Sequence, residues 1–304
     1  MKSALAYWNG RLVPAAEVVI APYDAGFVQG TTVGEQLRTF GGQLFRLEQH
    51  LERLGRSLAI VGVVPPVSLG ILEEISRSLA RYNHALLAPG DDLGLSIVIT
   101  PGIYAAFAAG ATGGPTVIVS TYPVAFGHFA TAYTTGQALV VSPVRQVPTD
   151  CWPAELKCRS RMHYYLADRA ARQQEPGARA LLLDHDGYVT EASTANIVIC
   201  ERDGGLVSPP KERILPGISV ATLAELADQL GLPFRERLLR VEDLEQAQEI
   251  FLTSTSPCLV PCTRLNGRPV GTGQPGPVFA RLLAAWSARV GVDIAAQAKR
   301  FAQR

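Results

Sequence analysis

Two hydrophobic periods alternate along the first half of the chain, and the switches between them mark its elements. Ala4 to Trp8, the turn N-G-R, then Leu12 and Val13 read as strand–turn–strand, with Asn-Gly suiting the left-handed backbone of a tight turn. Glu35 to Phe40, Gly41-Gly42 and Gln43 to Arg46 repeat that pattern as a second hairpin. Leu47, Leu51, Leu54 and Leu58 then recur at helical spacing, which predicts a helix from about Leu47 to Ile60. A second helix is expected over Ser68–Asn83. Strands follow at Leu93–Thr100 and Thr116–Thr121, separated by an Ala/Gly-rich stretch at 102–114.

Beyond this the periodicity lapses. Y-P-V-A-F-G-H at 122–128 carries Pro and Gly without a repeat, as an interdomain connection does. The expected division is an N-terminal domain over 1–121, a linker over 122–130 and a C-terminal domain over 131–304. The latter should hold strands at Ala138–Val144, Ala180–Asp184, Asn196–Cys200 and Glu249–Thr253. Its helices are expected at Ser160–Gln173, Gly217–Leu230 (closed by Gly231) and Pro277–Val290. No repeat of 20–50 residues is visible. The order fits two α+β domains.

Composition narrows the class. At 304 residues and 47% hydrophobic, the chain can bury one large core or two moderate ones. A net charge of +1 without a basic run argues against a nucleic-acid partner. No stretch reaches the roughly 18 apolar residues that a membrane helix needs, so no membrane partner is expected. Lys2 is followed by no long apolar segment, so no signal peptide is expected either. The five cysteines, Cys151, Cys158, Cys200, Cys258 and Cys262, follow no disulfide-framework spacing and read as reduced thiols. Cys258 and Cys262 form C-x-x-x-C with no second ligand pair, so no metal is expected. A cytoplasmic protein is the expectation.

The chemistry centres on Lys157, the one lysine between Lys2 and Lys211, within P-A-E-L-K-C-R-S-R-M-H-Y-Y-L. Glu191 opens E-A-S-T-A-N-I-V after the turn D-H-D-G-Y, L-P-G-I-S opens a helical pattern at Ile218, and L-T-S-T-S follows. A solvated lysine, an exposed glutamate and ordinary helix punctuation are the bland readings of each alone. Together, an amine, a distant carboxylate and a donor-rich helix start are the parts that a pyridoxal phosphate enzyme needs.

In this order the motifs resemble the class IV (fold-type IV) aminotransferases, a family that includes branched-chain and D-amino acid aminotransferases and aminodeoxychorismate lyases. The resemblance runs from Y-W-N-G-R-L-V-P to about Gly271. It implies an α+β, D-amino acid aminotransferase-like fold of two domains with pyridoxal 5'-phosphate between them, and a homodimer acting on amino acids and 2-oxo acids. It implies Lys157 as the catalytic lysine and Glu191 as partner of the pyridine nitrogen. Arg53, in H-L-E-R-L, matches the family's phosphate arginine, and Ile218, Ser219 and Thr255 match its other phosphate contacts. Substrate candidates are Arg38, Gln36, Gln29 and Ser256; for Arg38 a structural role weighs equally.

The departures bear on specificity. Gly30-Thr31-Thr32-Val33 resembles the G-T-S-V of branched-chain enzymes more than the G-D-G-V of D-amino acid enzymes and lyases. Yet Gln29 stands where Tyr or Phe is common, Gly34 where Phe is common, and Gln36 where a small residue is. A pocket lined this way is roomier and more polar than an aliphatic side chain favours. Met162 replaces the tyrosine that contacts the cofactor's ring oxygen in branched-chain enzymes; Tyr164 or Tyr165 could substitute or be core residues. The Y-I-R-P and R-x-H motifs are both absent from Leu93–Gly102. The leading expectation is transfer of an amino group from a branched-chain-like or related amino acid to a 2-oxo acid such as 2-oxoglutarate. The alternatives are an aminodeoxychorismate lyase and a D-amino acid or (R)-amine transaminase.

Overall fold

A computed structural model describes residues 3–303, so the Lys2 argument lies outside the described residues. The chain divides into two compact units, one of Met1–Val124 with Leu156–Ser160, the other of Ala125–Glu155 with Arg161–Arg304. Lys157, grouped above with the C-terminal domain, therefore belongs by its contacts to the first unit. The reason is backbone pairing: Gly34 N donates to Lys157 O (3.1 Å) and Arg159 N to Thr32 O (2.8 Å).

The first unit is an antiparallel sheet of six strands in the order β2-β1-β6-β5-β3-β4. Its elements are β1 (Leu5–Trp8), β2 (Arg11–Pro14), a short α1 (Ala25–Val28), β3 (Val33–Phe40), β4 (Gln43–Leu44), α2 (Leu47–Val61), α3 (Leu69–His84), β5 (Leu93–Thr100) and β6 (Thr116–Pro123). Alternation sorts the two faces of the sheet. Val33, Leu37, Leu95, Ile97, Ile99, Val117 and Val119 join Leu47, Leu51, Leu54 and Leu58 of α2 and Leu72 and Leu79 of α3 in one buried cluster. At about 1.5–3 kcal/mol per large side chain, this burial is what holds the helices on the sheet. Gly62, with φ 70°, ends α2.

The Ala/Gly-rich stretch is tied at its base. Ala25 N donates to Gly102 O (2.7 Å), Tyr104 N to Tyr23 O (2.8 Å), and Ala105–Phe107 form a short 3-10 turn. Asp24 anchors the region, accepting from Gly26 N, Thr100 Oγ1 and Thr116 Oγ1.

The second unit is built on a nine-stranded sheet. Its elements are α4 (Ala132–Thr135), β7 (Gln137–Val141), α5 (Met162–Gln174), β8 (Arg179–Leu183), β9 (Val189–Ala192), β10 (Ala195–Cys200), β11 (Leu206–Ser208), α6 (Ile218–Gln229), β12 (Phe234–Glu236), α7 (Val241–Glu245), β13 (Glu249–Ser254), β14 (Cys258–Leu265), β15 (Arg268–Pro269), α8 (Pro277–Val290) and α9 (Ile294–Arg300). Because β9 pairs with both β8 and β10, the strands β10, β13, β14, β7, β8 and β9 close into a ring. Closure leaves free edges only outside the ring, at β12 and β15, and β10 is buried along its whole length. Buried Glu249 caps α8, accepting from the backbone N–H of Val278 and Phe279 at 2.8 and 2.9 Å.

Candidate active site

In the first unit, the buried side of α2 carries a polar row, His50, Arg53 and Ser57, among its leucines. These positions lie three and four apart and so share one face. Opposite them on β3 stands Glu35, fully buried. It receives Arg53 Nε on Oε1 at 2.7 Å and Arg53 Nη2 on Oε2 at 2.8 Å, while His50 Nδ1 lies 2.7 Å from Oε2. Burial works against the charge on Glu35, but the hydrogen bonds and charge of Arg53, helped by His50 and Lys157, hold its pKa well below the usual range. Burial also pushes the His50 pKa down, against the pull of Glu35. A carboxylate thus fixes the plane of the Arg53 guanidinium through Nε and Nη2.

One turn further along α2, Ser57 Oγ accepts from the backbone N–H of Lys157 at 3.1 Å. Lys157 is 9% exposed and lies in a short extended segment whose Cys158 bridges Val33 of β3. Main-chain bonds on both sides therefore fix where this lysine's side chain starts. Gln36 and Arg38 sit on the opposite face of β3 from Glu35, with Arg38 1% exposed and its guanidinium 4.4 Å from the centre of the Phe40 ring. Gln29 stands apart from them, exposed at the end of α1.

The second unit gathers the other candidates. Glu191 is buried within β9, and Gln146 Nε2 donates to its Oε1 at 2.6 Å. The Tyr164 hydroxyl donates to the same oxygen. Burial first, then the charge of Glu191, raise the Tyr164 pKa well above its usual value, so this hydroxyl stays a donor throughout the working range. Tyr164 is committed to Glu191, while Tyr165 and Met162 are exposed.

Glu191 pairs across the ladder with Asn196, and Asn196 in turn with Thr253 of β13. Asn196 Nδ2 donates to Leu215 O at 2.8 Å, and a Cβ on Gly217 would overlap Asn196 Oδ1. Asn196 thereby shapes the L-P-G turn, and Gly217 is the N-cap of α6 with Ile218 and the buried Ser219 in its first turn. Thr255 and Ser256 lie in the turn joining β13 to β14, two and three residues beyond Thr253. The carboxylate, the helix start and this turn are thus linked by three adjacent strands.

The donor set fits pyridoxal phosphate. A buried primary amine can join its aldehyde, a buried carboxylate can meet its ring nitrogen, and a guanidinium, a hydroxyl and free amides of a first helical turn suit a phosphate. Sequence reasoning missed Ser57 and Gln146, which stand in no motif, and Asn196 and Arg159, which lie inside the motifs of Glu191 and Lys157. Among the described residues no group of histidines, cysteines and carboxylates could hold a metal ion.

Comparison with known proteins agrees with this geometry. Residues 32–265 match the family described as amino-transferase class IV. The chain is 28% identical over 274 residues to a D-alanine aminotransferase of Bacillus licheniformis, covering 89% of this chain and 92% of that one. It superposes on the branched-chain amino acid aminotransferase of Escherichia coli with a TM-score of 0.85 and 26% identity, over 95% and 94% of the two chains. The branched-chain amino acid aminotransferase of the thermophilic archaeon Thermoproteus uzoniensis, solved with norvaline, aligns at a TM-score of 0.83 and 26% identity, over 95% and 96%. The chain belongs to the class IV aminotransferases. It is a fold-type IV, pyridoxal phosphate-dependent transaminase.

Removing the Tyr164 hydroxyl tests the hold on Glu191. Tyr164→Phe keeps the ring packed in its apolar cluster but takes one donor from the carboxylate. Turnover should fall about 10-fold, the worth of one hydrogen bond to a charged group, with the unfolding midpoint nearly unchanged. Unchanged turnover would show that Gln146 alone suffices.

Proposed function

We propose that the protein transfers an amino group from an amino acid to a 2-oxo acid such as 2-oxoglutarate, with Lys157 as the reactive amine and proton carrier. The observation that carries this reading is Lys157 itself, a buried lysine whose backbone N–H and carbonyl are both pinned, by Ser57 and Gly34. Bound pyridoxal phosphate supplies the electron sink that makes the substrate Cα–H acidic. Lys157 then moves the proton from that carbon. Glu191 keeps the ring nitrogen protonated, oriented for this by Gln146 and Tyr164. Arg53, Ser219, Thr255 and the amides at Ile218 and Ser219 bind the phosphate, with Glu35 and His50 setting the guanidinium. Gln36, Arg38 and Ser256 belong to the substrate side; exposed Gln29 joins them only if a neighbouring chain covers it.

Two substitutions separate the ring end from the phosphate end. Glu191→Gln should keep bound cofactor but turn over slowly, because an amide no longer favours the protonated ring. Arg53→Ala should release cofactor instead, weakening its binding by about 2–3 kcal/mol. Cofactor occupancy and kcat, measured on the same preparations, decide between them. The opposite pattern would reverse the assignment of the two ends.

A homodimer in the cytoplasm completes the proposal. Val19, Ile20, Phe27 and Phe107 are exposed on stretches that the Asp24–Ile103 bridge ties together, an apolar surface suited to a second copy. All five cysteines are unbridged, as in a reducing compartment. No helix among the described residues is long and apolar enough to cross a membrane. Sedimentation at low micromolar concentration should find a dimer, and a fully active monomer would overturn it.

A further inference from the structure

Position 34 has no side chain, and another residue's side chain fills the space. A Cβ on Gly34 would lie 3.3 Å from Arg159 Nε, so the Arg159 guanidinium lies over the glycine, in the place a side chain there would take. Its Nη2 approaches Ser96 Oγ of β5 at 3.4 Å, the long end of hydrogen-bonding distance. The register defines the surface beneath it. Gly34, Gln36 and Arg38 stand opposite Val98, Ser96 and Gly94, which stand opposite Ile118, Ser120 and Tyr122. These nine positions share the face turned away from the leucine core, and none of them is a carboxylate.

Two guanidiniums mark this face, and their burial separates them. Arg38 is 1% exposed and packed on Phe40, and so is the less accessible of the two. Arg159 is half-buried, and its planar fork of donors matches a carboxylate. It stands two residues from Lys157, on the stretch whose pairing with Gly34 also fixes the lysine. The backbone positions of Arg159 and Lys157 are therefore one strand repeat, about 7 Å, apart.

We infer that Arg159 is the anchor for a substrate carboxylate, and that the Gln36, Ser96 and Ser120 surface beside it favours oxygen-rich substrates over branched aliphatic ones. The inference rests on the reading of Lys157 as the reactive amine. A substrate carboxylate has two sources, the α-carboxylate shared by every amino acid and the side-chain carboxylate of an acidic one. The chemistry at Arg159 is the same for both.

The test compares wild type, Arg159→Gln and Arg159→Lys as holoenzymes. Glutarate, a dicarboxylate that cannot react, is titrated calorimetrically; aspartate, leucine and a carboxylate-free amine serve as donors. Arg159→Gln should weaken glutarate binding by ten- to a hundredfold, with Arg159→Lys in between. KM for carboxylate donors should rise by a similar factor while kcat, cofactor occupancy and the unfolding midpoint hold. The amine should be indifferent. Equal losses for aspartate and leucine identify the α-carboxylate, and a loss for aspartate alone the side chain. Glutarate binding indifferent to Arg159, or cofactor lost from Arg159→Gln, would overturn the inference. Absence of aminotransfer from the wild type would instead overturn the reading on which it rests.

Discussion

Lys157→Ala should abolish aminotransfer while leaving the fold intact. Two functions are lost together: the amine that joins the cofactor and the base that carries the substrate proton. A positioned base alone is worth about 10²–10⁴-fold, so the combined loss should exceed that. The fold should survive because the bonds that hold this segment are main-chain ones. The N–H to Ser57 and the carbonyl to Gly34 persist whatever side chain stands at 157. Lys157→Arg should fail equally, since a guanidinium stays protonated and cannot attack an aldehyde. Activity near wild type in either variant would sink the proposed role.

Glu35→Ala should be the most damaging change to stability. It leaves Arg53 and His50 buried, each 2% exposed, without the carboxylate that balances them. Breaking a buried ion pair from one side costs about 3–5 kcal/mol. The guanidinium should also lose its orientation, so cofactor affinity should fall as it does in Arg53→Ala. Chemical unfolding with and without added cofactor reads both effects; a variant as stable as wild type would contradict the account. The pH dependence follows from the same pair. Folded Glu35 binds its proton more weakly than the unfolded chain does, so its contribution is fully present above the unfolded pKa of about 4.3 and is lost as pH falls toward the lowered folded value. Glu35→Ala should therefore flatten the acid limb of the stability profile.

What could be read from the sequence was what is local. The four leucines of α2 and the hairpin glycines report their own surroundings, so those elements lie where the periodicity puts them. The motif order likewise pointed to Lys157, Arg53, Glu191 and Ser219 as candidates. Five strands escaped, β11, β12 and β15 because they are only two or three residues long. β9 is four residues long and buried throughout, so it shows no alternation. β14 carries Pro261 in its interior, a residue that normally argues against a strand, and begins at Cys258 with φ 63°. The positioning residues escaped because they act across the chain. Gln146 meets Glu191 from 45 residues away, Ser57 meets Lys157 from 100, and Arg159 fills the space at Gly34. Lys157 follows the C-terminal segment in sequence but clusters with the first unit by its contacts, through the pairing with β3.

Four lysines could carry the cofactor, Lys2, Lys157, Lys211 and Lys299. Borohydride reduction of the holoenzyme followed by peptide mapping shows directly which one does. The account predicts a single phosphopyridoxyl group on the peptide containing Lys157 and none in Lys157→Ala. A label on Lys211 or Lys299, or an unchanged label in the variant, would contradict it.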